Sequence, residues 1–276
     1  MTGVVFRPQS PPERLRQTVE AAEAAGVAEL WLWEDCFLQG GLTAATAALA
    51  WSERLRIGIG LLPVALRNPA VAAMEIATLV RMFPDRLVPG LGHGVLDWMG
   101  QVGARAESPM ALLREYTAAV RNLLHGHRVD VDGRYVHLDG VALDWPPAPP
   151  PPLLLGARGP KTLRLAGELA DGVILDRASA PDDVRAARAE VDAGRAAAGR
   201  TDPYRVVVER TGATPLPRQG ERQSIAVLPF VNMSSDPDQE YFSDGIADDL
   251  ITDLAKVSGL FVTARQSAFS LSLIHI

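Results

Sequence analysis

Three groups of residues have the types and spacing to do chemistry. Gly156-Ala157-Arg158-Gly159-Pro160 joins a short apolar run to an amphipathic stretch. Glycine permits a tight turn, proline suits the first turn of a helix, and the N–H groups of a helix start attract anions, so a phosphate can be held there. The same five residues also suit a ligand-free strand-to-helix connection. Glu34-Asp35 ends the run ELWLW. A carboxyl group set among Trp31, Trp33 and Phe37 is poorly solvated, which raises its pKa towards values useful for proton transfer; Glu34 can equally cap the following turn. His93 stands between Gly92 and Gly94 after another apolar run. The glycines would leave an imidazole accessible and able to titrate near neutrality, although histidines are also common in ordinary turns.

These residues need elements to hold them. Apolar runs at residues 4–6, 29–33, 56–62, 86–91, 153–155, 172–175 and 204–209 read as seven strands. Helical patterns fill residues 11–25, 43–51, 69–82, 109–125, 161–170 and 181–198, with Ser10 as an N-cap candidate and Gly26 as a stop. Strands alternating with helices imply parallel βα units, and Ala-rich helices outside a ring of strands suggest a (β/α) barrel. Either a barrel or an open parallel sheet places function at the strand C-termini. Leu112, Leu113, Tyr116, Val120, Leu123 and Leu124 recur at helical spacing and belong to scaffold. RVDVDGRYVHL carries Asp132-Gly133 between alternating runs and reads as an inserted β-hairpin, while PPAPPPP is a stiff connector.

Composition narrows the function classes. The 276 residues are 47% hydrophobic and 22% charged, which suits one large domain or two ordinary ones. A formal net charge of -6 argues against a general nucleic-acid binder, which needs concentrated Lys and Arg. Cys36 is the single cysteine, so no internal disulfide can form and a cytoplasmic location is expected. No apolar stretch reaches a spanning length of about 20 residues, so no membrane partner is expected. His125, His127 and His137 lack partners at metal-ligand spacing, and no metal is expected.

ELWLWED, RIGIGLLPVALRNP, DRLVPGLGHGVLDWMGQVG, REYTAAVRNLL, VDGRYVHLD and LLLGARGPKTLRLAGELADGVIL, in this order, resemble the bacterial-luciferase-like monooxygenase and reductase family across residues 1 to about 209. The resemblance implies an α/β fold, a TIM (β/α)8-type barrel, with FMN or the deazaflavin coenzyme F420 in its mouth. The GLGHGVLDWMGQVG stretch is more similar to the deazaflavin branch. It further implies hydride transfer, or oxygen activation with FMN, on a small-molecule substrate, with a homodimer as the candidate assembly. Carried onto this chain, the phosphate loop falls on Gly156, Ala157, Arg158, Gly159 and Pro160. Close backbone approach to the ring falls on Gly58 and Gly60, which also suit plain barrel packing, and on Gly92 and Gly94. Glu34, Asp35 and His93 become the catalytic candidates, although Glu34-Asp35 departs from the commoner Asp-His pattern of the branch. Trp98 and Met99 would line the apolar part of the pocket or pack in the core.

The chain changes character after residue 210. TGATPLPRQGER, within residues 211–223, reads as a linker. Residues 224–269, with SIAVLPF and YFSDGIADDLITDL, resemble the start of a TolB-amino-terminal-like domain of adenylate-cyclase and tetratricopeptide proteins, read as a βαβ segment with its helix at 241–257. The barrel is therefore expected to be truncated before its last strand and helix. The final LSLIHI, within residues 270–276, is the translation of CTG TCT CTT ATA CAC ATC and resembles a transposon sequencing adapter, as expected of an artefactual tail on a chimeric chain; a natural fusion is the other reading. SIAVLPF is expected to be drawn into the missing-strand gap beside residues 4–6. The competing functional reading is an inactive fragment or an interaction module without cofactor.

Overall fold

The computed structural model describes residues 2–176 and 180–209 and the backbone of strands at 223–225, 260–262 and 271–275. Seven parallel strands form the barrel wall: β1 (Thr2–Phe6), β2 (Glu29–Leu32), β3 (Arg56–Pro63), β4 (Leu87–Gly92), β7 (Leu154–Gly156), β8 (Gly172–Leu175) and β9 (Arg205–Glu209). Between β4 and β7 lies an antiparallel hairpin, β5 (Val129–Asp132) and β6 (His137–Val141), which stands outside the barrel sheet as an insertion. The connecting helices are α1 (Leu15–Ala24), α2 (Gly41–Ala50), α3 (Pro69–Met82), α4 (Leu96–Gln101), α5 (Pro109–Leu124), α6 (Pro160–Leu169) and α7 (Pro181–Ala197). The short helix α4 has no counterpart in the sequence reading; its six residues give too little periodicity to detect.

Local chemistry explains the helix starts. Asn68 Oδ1 accepts from the Ala70 N–H at 2.9 Å and Pro69 occupies the first turn, which starts α3. In α5, Leu113, Tyr116, Val120, Leu123 and Leu124 face inward, as their spacing requires. Glu115 on the same helix accepts from the N–H groups of Arg134, Tyr135 and Val136, tying the hairpin turn down. At the opposite end of the barrel from the mouth, Asp171 accepts from Arg121 (2.7 and 2.8 Å), Arg200 (2.9 Å) and the Leu153 N–H (3.0 Å), locking α5 to the starts of β7 and β8.

The sheet closes through β12 (Leu271–His275), which lies between β1 and β9 and pairs antiparallel with β9 at Ile274↔Glu209 and His275↔Val208. The place of an eighth parallel strand is thus taken by the tail. This corrects the expectation for SIAVLPF. Its described part, in β10 (Gln223–Ile225), pairs instead with β11 (Leu260–Val262) in a separate two-stranded parallel sheet. Strand β11 already takes the β10 backbone groups, so that strand is not left to seek a barrel edge. The helix expected at 241–257 lies outside the described residues. Contacts divide the chain into one unit of Met1–Arg210 with Ile274–Ile276, and a second of Thr211–Leu273.

Register sets which residues face the barrel axis. Val5 pairs with Trp31 and Trp31 with Gly58, Gly58 with Val88, and Ile174 with Val207. Paired residues of a parallel sheet face the same way, so these positions form one inward layer. Val5, Trp31, Val88, Leu154, Ile174 and Val207 indeed make one buried cluster, with Trp33 packed against it. Below it, towards the strand N-termini, buried Glu29 pairs with Arg56 and Arg205 and accepts from Trp31 Nε1 at 3.1 Å. Above it, the same alternation brings Arg7, Trp33, Gly60, Gly92, Gly156, Asp176 and Glu209 to the C-terminal mouth.

Candidate active site at the strand C-termini

One side of the mouth is a glycine wall. Beyond Ile59 the β3–β4 register shifts, and Leu61 turns inward. A Cβ at Gly92 or at Gly156 would overlap the Leu61 side chain, so these two positions must be glycine for Leu61 to lie across them. Gly58 serves another purpose. It lies one layer lower, where a Cβ would overlap the Trp31 indole, and so its role is to seat that ring. Gly94 turns the chain with φ of +70° beside Pro63.

The turn after β7 leads into α6. The Ala157 N–H donates to the Ile174 carbonyl at 3.1 Å and so belongs to the sheet. Arg158 is held by Asp176, with Nε at 2.9 and 2.7 Å from the two carboxylate oxygens, and this pairing raises the Arg158 pKa. Gly159 is the N-cap of α6 and Pro160 its first residue. Apart from its chain neighbours, no atom of the described residues lies within 4 Å of the place a Gly159 Cβ would take, so among them that helix start is open. The first-turn N–H groups of a helix have no intrahelical partner, and α6 runs for ten residues, so an anion would be attracted here.

His93 sits behind this turn. Its Nε2 is 3.3 Å from Thr162 Oγ1 in the first turn of α6, and Thr162 in turn approaches Met110 Sδ at 3.4 Å. Burial lowers the His93 pKa against the opposing pull of the Pro109 backbone, and its Nδ1 is buried. With Val64, Leu96, Met99 and Leu112 it borders a small cavity; Met99 is buried there and Trp98 is half-buried. The structure therefore joins His93 to the α6 turn and not to the Glu34-Asp35 pair.

Glu34 and Asp35 diverge. Glu34 faces outward, 9% exposed, where its carboxylate takes both guanidinium branches of Arg67 (Nη2 to Oε2, 2.7 Å) and accepts from the Gly41 N–H at 2.7 Å. That geometry fixes the starts of α2 and α3. Asp35 is half-buried on the mouth side; burial raises its pKa and Arg7 opposes the rise. Arg7 also lies 5.9 Å from the Trp33 ring. Burial, with Glu34 and Asp35, pushes the Cys36 thiol up, so it is not an activated nucleophile.

Three mouth residues, Arg7, Asp176 and Glu209, escape motif reading. Each lies two positions beyond an inward apolar residue: Val5, Ile174 and Val207. Strand alternation carried past the end of each apolar run is the signal that finds them.

With the geometry in place, the chain can be set beside known proteins. The pattern of the luciferase-like monooxygenase family matches residues 3–219. The chain belongs to this family. Among luciferase-like relatives, it is 31% identical over 206 residues to the 5,10-methylenetetrahydromethanopterin reductase of Methanolobus tindarius, a match covering 75% of this chain and 62% of the reductase. It is 32% identical over 185 residues to the F420-dependent glucose-6-phosphate dehydrogenase of Nakamurella multipartita, covering 59% and 53% of the two chains. The luciferase-like fold is matched by the solved coenzyme F420-dependent tetrahydromethanopterin reductase from Methanopyrus kandleri, with a TM-score of 0.68 at 21% identity over 90% of this chain and 71% of that one. Over 58 residues the chain is also 64% identical to putative adenylate cyclase 3 of Rhizobium meliloti, covering 21% of this chain and 10% of the cyclase. The luciferase-like part thus spans less than two thirds of the length of both curated oxidoreductases.

Proposed function

We propose that this chain is a cytoplasmic oxidoreductase that passes a hydride between a small organic substrate and coenzyme F420 bound in the barrel mouth, with FMN as the alternative cofactor. The observation that carries the reading is the open α6 start at Gly159 beside the wall of Gly92 and Gly156 covered by Leu61, at the functional end of the barrel. These residues fit such a cofactor. The first-turn N–H groups of α6 would hold a phosphate, joined by Arg158, while Ala157 contributes only its place in the sheet. The Leu61-covered wall would support one face of a flat ring. When bound, the ring supplies the two-electron carrier that no side chain provides.

The remaining residues have their own tasks. Glu34 with Arg67 holds α2 and α3 in place, Asp35 and Arg7 set the charge at the mouth, and His93 supports Thr162 beneath the phosphate turn. The relatives' activities, those of an F420-dependent dehydrogenase and a methanopterin reductase, support hydride transfer over oxygen activation. Residues 1–210 would form the incomplete catalytic domain, 211–223 a linker, 224–269 a foreign TolB-like module and 270–276 an artefactual tail. The change of matched family supports this chimeric organisation.

Titrating F420 and FMN against the full chain by fluorescence tests the reading. Saturable binding of F420 in preference to FMN, weakened by Arg158→Met, is the expected result. Binding of neither cofactor overturns the enzyme reading and leaves the interaction module.

A further inference from the structure

Glu209 ends β9 and has no task in the function proposed above. Val208 pairs with Leu175 and Val207 with Ile174, so Glu209 faces inward, one step above Val207, level with Asp176. It is only 8% exposed. A carboxylate this buried needs charge partners, or a proton.

The described side chains that act on it come from four other strand ends. Arg7 follows β1, Asp35 follows β2, Arg158 follows β7 and Asp176 follows β8. Asp176 already holds the Arg158 guanidinium, and Arg7 lies by Trp33 and is drawn on by Asp35. Two cations and two anions therefore balance without Glu209. Among the described side chains, ionising Glu209 would add a negative charge with no cation left to match it.

We propose that Glu209 is the proton donor and acceptor of the barrel mouth, serving the substrate heteroatom bonded to the carbon that exchanges hydride. The inference rests on the hydride-transfer reading. In the reducing direction, a carbon–heteroatom double bond receives hydride, with both electrons, from the reduced ring; the heteroatom takes the proton of the Glu209 carboxyl, leaving carboxylate and oxidised ring. Oxidation runs the same exchange backwards, and solvent restores the carboxyl. Burial, followed by Asp176, pushes the Glu209 pKa up to about 7 against the pull of Arg7 and Arg158, so both forms are populated at neutral pH.

Infrared titration of the full chain tests this without needing the substrate. A protonated-carboxyl band should be lost with a midpoint near 7, be absent in Glu209→Gln, and move to lower pH in Asp176→Asn, which removes the neighbouring like charge. Saturating F420 should raise the midpoint further, because a ring over the mouth removes water from the carboxyl. A band that persists in Glu209→Gln, no carboxyl titrating between pH 6 and 8, or a midpoint unmoved by bound cofactor would each overturn the proposal. If Glu209→Gln does not fold, the Asp176→Asn shift decides alone, an unmoved midpoint counting against it. If neither F420 nor FMN binds, the oxidoreductase reading fails and the proton role falls with it, whereas binding with an unmoved midpoint removes the Glu209 role alone.

Discussion

Gly58 and Glu34 show what single residues contribute beneath the mouth. Any side chain at Gly58 collides with the Trp31 indole in the centre of the barrel. Gly58→Ala should cost about 1–3 kcal/mol in urea unfolding, whereas Gly159→Ala, with open space around it, should cost under about 1 kcal/mol. Glu34 is a positioning group in this geometry. Glu34→Ala would strand the Arg67 guanidinium and the Gly41 N–H, an expected loss of about 2–3 kcal/mol given that Arg67 keeps some solvent contact. Glu34→Gln, which keeps an acceptor for Gly41, should lose less. Glu209 adds a pH dependence of known sign. Its folded pKa of about 7 stands above the ordinary 4.5, so the folded state binds the proton more tightly. The stability this proton gives is complete below about pH 4.5 and lost as pH rises through about 7. Urea midpoints measured from pH 5 to 8 should fall more steeply for the natural chain than for Glu209→Gln.

At the scale of elements, the hairpin of β5 and β6 depends on one carboxylate. Burial alone would raise the Glu115 pKa, but the N–H groups of Tyr135, Val136 and Arg134 lower it overall. A depressed pKa means stability that is present above the ordinary 4.5 and lost as pH falls through the folded value. Glu115→Gln should therefore speed amide exchange at Tyr135 and Val136 and cost about 1–2 kcal/mol. Much of this level could be read from residue order. Seven barrel strands, the hairpin at Asp132-Gly133 and the Gly159-Pro160 helix start all follow from turn residues and periodicity. Strand facing was harder to read. In ELWLW every position is apolar after the first, because a parallel strand is covered on both sides, and nothing in the run says that Trp31 faces in and Glu34 out. The same ambiguity hid Arg7, Asp176 and Glu209, which show their facing only once register is known. The closing strand was unreadable for another reason: β12 meets β9 across more than sixty intervening residues, and local pattern carries no information about such a pairing.

For the whole barrel, closure and interior follow from different parts of the chain. The pairing of β12 with β9 covers an edge that would otherwise be open. Removing residues 271–276 should expose β1 and β9, and size-exclusion chromatography should then show larger species together with a lower unfolding midpoint. The interior is a column of three tiers: the Glu29 ion pairs, the cluster centred on Trp31, and the charged upper layer. All six members of the middle tier are at most 7% exposed. Among the described side chains that tier is an insulating floor, so on their side the barrel is a well that opens at the mouth. The described floor keeps water from reaching Glu209 from below, and its protons come from the mouth side. Whatever occupies the mouth therefore also controls the traffic to the acid beneath it.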